Sequence, residues 1–533
     1  MAAHEVSEAN PARYGSFWDL IASAAQRHPD RPILADAHGR SLTTREFRDV
    51  AATTAAAYAE QGIRAGSIVS WQLPTTLETM VVKAALARLG AVQNPIVPVL
   101  REREVSFITG QLGTEFLLVP ESWRGFDHGG LARSLATQQG FRVIVVDHDT
   151  APEPGTLRLP RGDVSTLPDP PAPSADARWV YYSSGTTAAP KGVRHTDTTL
   201  MAGAAGVVAM IGEQSTDVNP IAFPISHIGG AQMLSAGLMT GMRLALFEVF
   251  DPASTPFAIA AHDPTFLGTA TPFFVAFIAA QKAHGDRPLF PALRACLAGG
   301  APITPELGQQ VREMFSVAGI ANSWGLTEFP VVTAPDFDGA PEVLDHTVGP
   351  PVPGVSVRVV DADGHDVGIG REGELRLKGP QCFIGYVDAG LDADAFDDEG
   401  WFRSGDSGLI DADGNVRITG RLKDAVIRNA ENISALEVEN ALITHPAVAD
   451  VAVIGVPDPR TGERVCAVVV VAPSSDVSLD ALVEHCRSRG LARYKHPERL
   501  EIVDELPRNL TGKVLKKDLR ARFGVRRPLR AGS

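Results

Sequence analysis

The chain has 533 residues, of which 44% are hydrophobic and 21% charged, and its formal net charge is −14. At roughly 150 residues per domain, this length predicts three or four domain-sized units. The composition is that of a globular protein and excludes wholesale disorder and collagen, and the negative charge argues against a protein that binds nucleic acid through a broad basic surface.

The N-terminus and the cysteines favour a cytoplasmic protein. Glu5 and Glu8 stand where a secretory signal would have basic residues, and no apolar core follows them. Two uncharged stretches, 218–242 and 264–281, are interrupted by Pro, Gly, Gln or His, so the interior of an α/β domain explains them better than a membrane span. The cysteines are too scattered for a disulfide framework or a Cys-x-x-Cys metal site. Reduced thiols are therefore expected at Cys296, Cys382, Cys466 and Cys486.

Helical and strand patterns alternate in the first half of the chain. Thr43 and Thr75 each precede a glutamate by three residues, which is the pattern of a capping box that opens a helix. Gly90 then predicts a helix end. Strands are expected in short apolar runs over residues 67–73, 115–119 and 141–146. Strands separated by helices of this length imply right-handed crossovers, so we predict an α/β fold with a largely parallel sheet.

From about residue 355 the pattern changes. Closely spaced β-runs separated by Asp-Gly turns predict an antiparallel, β-rich subdomain. Beyond Lys423 the predicted order is helix, strand, strand, helix, over residues 435–443, 448–454, 465–471 and 479–487. That order suggests an independent α+β unit. We therefore predict a large N-terminal domain over residues 1–422, with stacked, mostly parallel α/β sheets and the β-rich subdomain, and a small C-terminal α+β domain over residues 423–533.

A strand pattern over residues 179–182 ends in a segment, 183–192, of hydroxyls, small residues and one lysine. Exposed amides and hydroxyls with one cation, in a turn from a strand to a helix that starts near Thr196, would suit a triphosphate. The segment is not a Walker loop, because the spacing G-x-x-x-x-G-K-[ST] is absent. On its own it fits a polar surface loop equally well.

Six more motifs follow this segment along the chain. They are Pro224-x-x-His227-x-x-Gly230, Gly299-Gly300-Ala301-Pro302, Trp324-Gly325-Leu326-Thr327-Glu328, Trp401-Phe402-Arg403-Ser404-Gly405-Asp406, Gly420-Arg421-x-Lys423-Asp424 and Leu506-Pro507-Arg508-Asn509-x-Thr511-Gly512-Lys513. Together with Ser184-Gly185-Thr186-Thr187-x-x-Pro190-Lys191-Gly192, they resemble, in family order, the adenylate-forming superfamily of acyl-CoA synthetases, luciferases and peptide-synthetase adenylation domains. The chain is most similar to an AMP-forming acyl-CoA synthetase.

The resemblance implies an acid–thiol ligase. In such enzymes a carboxylate attacks the α-phosphate of ATP, which gives an acyl-adenylate and pyrophosphate, and a thiol, usually that of coenzyme A, then displaces AMP. The implied partners are a small-molecule carboxylic acid, ATP, Mg²⁺ and coenzyme A, with no nucleic acid and no integral membrane association. The sequence leaves the oligomeric state open, a homo-oligomer included.

The resemblance also implies which residues act. Thr186, Thr187 and Lys191 match the residues that hold the β- and γ-phosphates, and Glu328 matches the Mg²⁺ ligand. Lys513 matches the lysine that holds the acid's carboxylate and the α-phosphate. The candidates for catalysis are Lys513, Thr186, Lys191, His227 and Glu328. The candidates for nucleotide binding are Ser184, Gly185, Thr186, Thr187, Gly300, Ala301, Ser323, Trp324, Gly325, Thr327, Asp406, Arg421 and Lys513.

Further roles follow from position in the motifs. Asp406 resembles the acid that accepts both ribose hydroxyls, with Arg421 beside it, and Trp324 stands where an aromatic ring stacks on adenine. Lys423 matches the hinge about which the small, mobile domain swings. His227 matches the residue between the acyl pocket and the thiol tunnel. Without the motifs, Trp324 would fit a core aromatic residue equally well. His227 would then fit a core histidine.

Two more alternatives concern single motifs. Alone, Thr327 and Glu328 would best fit a helix cap, with the threonine hydroxyl and the carboxylate at the first turn. Lys513 beside Gly512 would, on its own, fit a solvated turn.

Departures from the family pattern bear on both half-reactions. Ala188 stands where the phosphate loop usually has glycine. The alanine side chain disfavours a positive φ at this position. Asn429 and Ala430 replace the common Gly-Gly along the thiol path, so this departure bears on the thiol acceptor and not on adenylation. The acyl pocket is implied to lie among small and apolar groups, which favour a hydrophobic monoacid. These are His227, Ile228, Gly229, Gly300, Ala301 and Ser323.

Other functions remain as alternatives. One is an adenylating enzyme that delivers its acyl group to a carrier-protein thiol, and another is a non-catalytic nucleotide-binding protein of the same fold. Gly368-x-Gly370-x-x-Gly373 matches the dinucleotide fingerprint but precedes a β-run instead of opening a helix. Gly405-Asp406-Ser407-Gly408 resembles a trypsin-like nucleophile loop, which the fold class argues against. The basic C-terminal tail is more typical of solvated charge than of nucleic-acid binding.

Overall fold

The computed structural model describes residues 13–148, 156–183, 190–212, 214–300, 303–428, 431–458, 460–509 and 512–524. They form two compact units. The first contains the described residues up to Ser356 and the segment Leu377–Phe402, and the second contains Val357–Arg376 and the described residues from Arg403 onward. No helix in these ranges is long and apolar enough to cross a membrane. All four cysteines are free thiols.

Helices and strands alternate through the first unit. Its helices are α1 (Phe17–Arg27), α2 (Thr44–Glu60), α3 (Leu77–Leu89), α4 (Glu102–Leu112), α5 (His128–Gln139), α6 (Asp197–Ile211), α7 (Ile228–Thr240), α8 (Thr255–Ala260), α9 (Thr271–His284), α10 (Pro305–Phe315), α11 (Pro341–His346) and α12 (Asp392–Ala395). Its strands are β1 (Pro32–Asp36), β2 (Ser41–Thr43), β3 (Ile68–Trp71), β4 (Val92–Pro95), β5 (Phe116–Val119), β6 (Ser122–Trp123), β7 (Phe126–Asp127), β8 (Arg142–Val145), β9 (Trp179–Ser183), β10 (Lys191–His195), β11 (Val218–Ile221), β12 (Arg243–Leu246), β13 (Phe266–Thr269), β14 (Ala295–Gly299) and β15 (Ile320–Ser323).

The strands of the first unit form mostly parallel sheets. The largest has six strands in the order β10-β9-β4-β3-β5-β8, and all of its pairs are parallel except β10 with β9. A second sheet has the order β11-β12-β1-β2, and a third contains the parallel strands β13-β14-β15. The three predicted strands of the first half appear as β3, β5 and β8. The predicted α/β class is therefore confirmed, with apolar strands covered by crossover helices.

The structure confirms one capping box and corrects the other. Thr43 caps α2, and both reciprocal hydrogen bonds with Glu46 are present. At α3 the N-cap is Thr76, not Thr75, so the second prediction was wrong. The hydroxyl of Thr75 instead donates to the carbonyl oxygen of Phe223 at 3.0 Å, and Glu78 is turned inward to an ion pair. Long-range partners therefore outweighed the local pattern. Gly90 ends α3 in the left-handed conformation, as predicted.

The second unit combines two sheets with three helices. Its strands are β16 (Ser356–Val360), β17 (Gly373–Lys378), β18 (Phe402–Ile410), β19 (Val416–Arg421), β20 (Val426–Arg428), β21 (Glu431–Ile433), β22 (Val448–Asp458), β23 (Gly462–Val471) and β24 (Arg499–Ile502). Its helices are α13 (Ala435–Leu442), α14 (Leu479–Ser488) and α15 (Lys516–Phe523). One sheet has the order β16-β17-β18-β19, and the other has five strands, β21-β20-β23-β22 with β24 paired to β23.

The predicted order of helix, strand, strand, helix in the C-terminal region is confirmed as α13, β22, β23 and α14. The dinucleotide fingerprint at Gly368–Gly373 runs into strand β17, as the sequence indicated, and opens no helix. The β-rich segments 357–376 and 403–421 belong to the same compact unit as the C-terminal residues. The domain boundary at residues 422 and 423 remains a prediction, and a short 3₁₀ helix, Leu422–Asp424, lies at that position.

Candidate active site

The predicted phosphate loop connects two antiparallel strands. Strands β9 and β10 pair with Lys191 opposite Ser183, and α6 begins only at Asp197, capped by Thr196. The helix predicted to start near Thr196 is therefore confirmed, but the prediction that the turn leads directly into it was wrong, because strand β10 lies between them. Val193 and His195 are both fully buried. Their spacing of two residues is the period of a strand and not of a helix. Outside the described residues lie Ser184, Gly185, Thr186, Thr187 and Ala188.

Lys191 and Glu328 are joined by Tyr386, which the sequence analysis did not select. The Tyr386 hydroxyl donates to Oε1 of Glu328 at 2.9 Å, and Nζ of Lys191 lies 5.0 Å from the centroid of the same ring. Tyr386 is only 4% exposed. A tyrosine in an apolar run fits a core position, and the only available signal was that a buried phenol needs a hydrogen-bond partner.

His195 holds the backbone of Thr327. Its Nε2 lies 2.8 Å from the Thr327 carbonyl oxygen and its Nδ1 lies 3.0 Å from the Thr199 hydroxyl. Since a carbonyl only accepts, Nε2 carries the proton and Nδ1 accepts from the hydroxyl. Burial lowers the pKa of His195 to about 4, so the ring is neutral. No motif contains this histidine, and its partner Thr327 lies 132 residues away along the chain.

The segment around Glu328 is a series of bends. The next helix is α11, which begins at Pro341, so the helix-cap alternative for Thr327 and Glu328 is wrong. The amide of Phe383 donates to the carbonyl oxygen of Glu328 at 2.9 Å. Thr327 and Glu328 are therefore held from two sides, by His195 and by the segment that carries Tyr386, with the Glu328 carboxylate half-buried.

Other candidates lie at the carboxyl ends of parallel strands, where α/β sheets commonly bind ligands. Gly299 at the end of β14 is paired with Ser323 at the end of β15, and the Ser323 hydroxyl donates to the Ala298 carbonyl at 3.0 Å. Gly300 follows with φ of 79°, a conformation that favours glycine. Ala301 lies outside the described residues.

Trp324 and Gly325 follow directly after β15. Trp324 is 8% exposed, and its amide donates to the Thr333 carbonyl at 3.2 Å. A Cβ on Gly325 would lie 2.5 Å from the Val331 backbone nitrogen, so the chain needs glycine there. Val331 itself has φ of 55°, which is rare for a β-branched residue and stores backbone strain next to these candidates.

His227 is the N-cap of α7. Its Nδ1 accepts a hydrogen bond from the Gly229 amide at 3.4 Å, and burial lowers its pKa. Ile228, the first residue of α7, is also buried. Within the described residues, no hydrogen bond or ring contact joins His227 to Lys191 or Glu328.

The second unit brings together three candidates that are distant in the sequence. Asp406 on β18 is opposite Arg421 on β19, and Nε of Arg421 lies 2.9 Å from Oδ1 of Asp406. Asp406 is 2% exposed. Burial, together with the charges of Arg421 and Lys423, lowers the pKa of Lys513 to about 8, although the charges of Asp406 and Asp424 oppose the shift. Lys423 lies in the 3₁₀ helix and is exposed.

Lys513 lies in a turn, and its side chain is half-buried. Its amide donates to Oδ1 of Asn509 at 2.9 Å, and the Asn509 amide donates to the Lys513 carbonyl at 2.9 Å. Gly512 has φ of 80°, which the turn requires. The solvated-turn alternative therefore describes the backbone correctly, whereas the Lys513 side chain is half-buried and lies near other charged groups.

Comparisons with known proteins identify the family of the chain. Residues 21–387 match the family model of the AMP-binding enzyme, and residues 437–513 match that of the AMP-binding enzyme C-terminal domain. The medium-chain fatty-acid–CoA ligase of Escherichia coli (strain K12) is 31% identical over 525 residues, which cover 96% of this chain and 91% of that protein.

Two further proteins show the range of the relatives. The salicyl-AMP ligase / salicyl-S-ArCP synthetase of Mycobacterium tuberculosis (strain ATCC 25618 / H37Rv) is 32% identical over 530 residues, which cover 96% of this chain and 93% of that protein. The crystal structure of ATP-bound MatB from Rhodopseudomonas palustris superimposes with a TM-score of 0.84 at 26% identity, and covers 95% of this chain and 98% of that one. The chain therefore belongs to the AMP-binding enzyme family and is an adenylate-forming ligase that uses ATP.

Proposed function

We propose that this chain is an AMP-forming carboxylic acid–CoA ligase that activates a hydrophobic monocarboxylic acid. The observation that carries the proposal is the proximity of Asp406, Arg421 and Lys513 within one unit. These residues come from three separate motifs, each assigned to the same nucleotide, and a carboxylate with two cations suits a ribose beside a phosphate. A surface cluster without a ligand would be expected to leave the lysine in water.

The first half-reaction forms a bond between an oxygen of the acid and the α-phosphorus of ATP and breaks the bond from that phosphorus to the bridging oxygen of pyrophosphate. In the proposal, the Lys513 ammonium offsets the repulsion between the two reacting anions. The second half-reaction forms a carbon–sulfur bond, breaks the carbon–oxygen bond to AMP and releases the thiol proton. Asp406 would hold the ribose throughout.

Glu328 fits the requirements of the metal. Its carboxylate is half-buried and supplies hard oxygen donors, and its partner Tyr386 is neutral and occupies one side of Oε1. Mg²⁺ bound there would neutralise charge on the phosphates. Lys191 and the loop residues Thr186 and Thr187 would hold the β- and γ-phosphates beside it.

Among the described residues of the expected acyl pocket, none offers a cation to a second carboxylate. His227 is held neutral by burial, Ile228 is apolar, and the Ser323 hydroxyl is already engaged with a backbone carbonyl. Burying a second charge among such groups would be unfavourable. A hydrophobic monoacid is therefore the proposed substrate class, with fatty, alicyclic, aromatic and steroid side-chain acids all compatible.

The acceptor is proposed to be coenzyme A, by likeness to the fatty-acid–CoA ligase. Delivery to a carrier-protein thiol is the second candidate, because the chain is equally similar to a salicyl-S-ArCP synthetase and departs from the family at Asn429 and Ala430, which lie outside the described residues. A non-catalytic nucleotide-binding protein is the third, and the presence of Lys513, Glu328 and Asp406 argues against it.

A two-stage assay tests the proposal. The purified chain is first offered ATP, Mg²⁺ and a panel of carboxylic acids while pyrophosphate is measured, and active acids are then combined with coenzyme A or with a phosphopantetheinylated carrier protein. Thioester formed with free coenzyme A supports the proposal. Pyrophosphate with thioester only on the carrier favours the second candidate, and no acid-dependent pyrophosphate favours the third.

The pKa of Lys513 leads to a pH dependence. Since only the ammonium form can act, kcat/KM for ATP in pyrophosphate formation should fall on an alkaline limb near the lysine's pKa of about 8. Lys423→Gln removes a positive charge that lowers this pKa, so the limb should move to higher pH, by roughly half a unit. The pH–rate profiles of both proteins check this, with Lys517→Gln, an exposed lysine on α15, as the matched control. A limb that moves equally in both variants would argue against Lys513 as its origin.

A further inference from the structure

We propose that Tyr386 is a positioning residue that orients the Glu328 carboxylate for its metal and gives Lys191 a neutral partner. The inference rests on the proposed function, because it assumes that Glu328 holds Mg²⁺ and that Lys191 serves the phosphates. It concerns a side chain that none of the motifs contains.

The hydrogen bond from Tyr386 determines which oxygen lone pairs of the Glu328 carboxylate are available to a metal ion. The Tyr386 hydroxyl donates to Oε1 at 2.9 Å, which leaves Oε2 and further lone pairs of Oε1 for a cation. An arginine or lysine at this position would pair with the carboxylate and compete with a metal. A phenol restricts the carboxylate's rotation and leaves its charge in place. A phenol ordinarily has a pKa of about 10, so the donor proton is retained at physiological pH.

Tyr386 is itself held rigidly. Its amide donates to Oδ1 of Asp392 at 2.8 Å, and the neighbouring amides of Ile384 and Val387 donate to backbone carbonyls on β10 at 2.9 and 2.8 Å. The ring packs edge-on against Phe383, with centroids 4.8 Å apart. Because the same segment also binds the Glu328 backbone, the phenol and the carboxylate are fixed in one frame.

The ring has a second contact. Nζ of Lys191 lies 5.0 Å from its centroid, within the range of a cation–π interaction. A direct ion pair between Lys191 and Glu328 would occupy both the phosphate cation and the metal ligand. Tyr386 provides each with an uncharged partner, the ring face for the ammonium and the hydroxyl for the carboxylate. The two contacts are separable, because phenylalanine keeps the ring and loses only the hydroxyl.

The test uses the full chain and the non-hydrolysable nucleotide α,β-methylene-ATP. Affinity is measured for the Mn²⁺ complex by water-proton relaxation and for the metal-free nucleotide by calorimetry in a chelator. Tyr386→Phe should weaken the Mn²⁺ complex about tenfold, as expected for a group that orients a metal ligand, and leave metal-free binding unchanged. Tyr386→Leu should weaken metal-free binding as well, because the support of Lys191 is lost.

The controls separate positioning from folding. Tyr182→Phe removes another phenol, whose hydroxyl donates to Gln111 at 2.9 Å, and should leave both affinities unchanged. In the Glu328→Gln background, Tyr386→Phe should have no further effect on the Mn²⁺ complex. Thermal unfolding verifies that each variant is folded.

The outcomes distinguish this inference from the proposed function. If the wild-type chain releases pyrophosphate and prefers the Mn²⁺ complex, but Tyr386→Phe binds it as wild type does, the positioning role is wrong. If Tyr386→Leu matches Tyr386→Phe in metal-free binding, the role toward Lys191 is wrong. If the wild-type chain shows no acid-dependent pyrophosphate, the proposed function fails instead.

Discussion

Lys513→Ala is expected to slow acyl-adenylate formation about 10²–10³-fold, the loss typical when one preorganised group that stabilises developing charge is removed. The ammonium is needed while a carboxylate approaches a phosphate, because both carry negative charge. In the thiol step the reacting centre is a neutral ester carbon, so the same variant should convert a supplied acyl-adenylate to thioester at nearly the wild-type rate.

Single-turnover measurements of each half-reaction check this expectation. Lys517→Ala is the matched control, since it removes an exposed lysine from the same region and should leave both rates unchanged. Equal losses in the two half-reactions of Lys513→Ala would contradict the proposed division of labour. A loss confined to the thiol step would exclude Lys513 as the residue that acts in adenylation.

Glu78→Ala is expected to lower the free energy of unfolding of the first unit by about 3–5 kcal/mol, the range for breaking a buried ion pair by removing one partner. The Arg40 guanidinium is 6% exposed and is held between two carboxylates, with Nη1 at 2.6 Å from Oε1 of Glu78 and Nε at 2.8 Å from Oδ2 of Asp36. Removing Glu78 leaves Nη2 of Arg40 without its acceptor. Asp36 and the Thr156 carbonyl still bind the guanidinium, so the lower end of this range is expected.

Denaturant unfolding of the full chain, followed by tryptophan fluorescence, measures the effect. Glu46→Ala is the matched control, because it removes a glutamate from the exposed capping box of α2 and should cost only about 1 kcal/mol. Similar small losses in both variants would show that the Arg40 cluster is not a significant source of stability. The comparison is direct, since the two glutamates occupy the same place in the same sequence pattern.

Local chemistry made several features predictable. The capping box at Thr43, the left-handed end of α3 at Gly90 and the tight turn at Gly512 each depend on residues within a few positions of one another. The order of α13, β22, β23 and α14 followed from hydrophobic periodicity. The motif residues were selected by likeness to the adenylate-forming superfamily, and the match of both family models confirms that likeness.

The contacts within the candidate site could not be predicted from local sequence patterns. Tyr386 and His195 lie outside every motif that was selected, and each acts through a partner far along the chain, Glu328 and Thr327. The loop before Lys191 was expected to lead into a helix, but the edge of the large sheet adds β10 first. For Tyr386, His195 and the loop before Lys191, the residue types were compatible with several local structures. The free energy of the long-range contacts determined which of these structures formed.

The amino-acid sequence thus specifies the α/β class, some helix ends, such as those at Thr43 and Gly90, and the kinds of chemical groups available, since these depend mainly on near neighbours in the chain. It does not specify which distant group each side chain meets. Thr75 and Thr43 open the same four-residue pattern, yet Thr43 caps a helix whereas Thr75 binds the backbone at Phe223. The physical reason is that a buried polar group must find a partner, and the packing of the whole chain determines which partner is within reach.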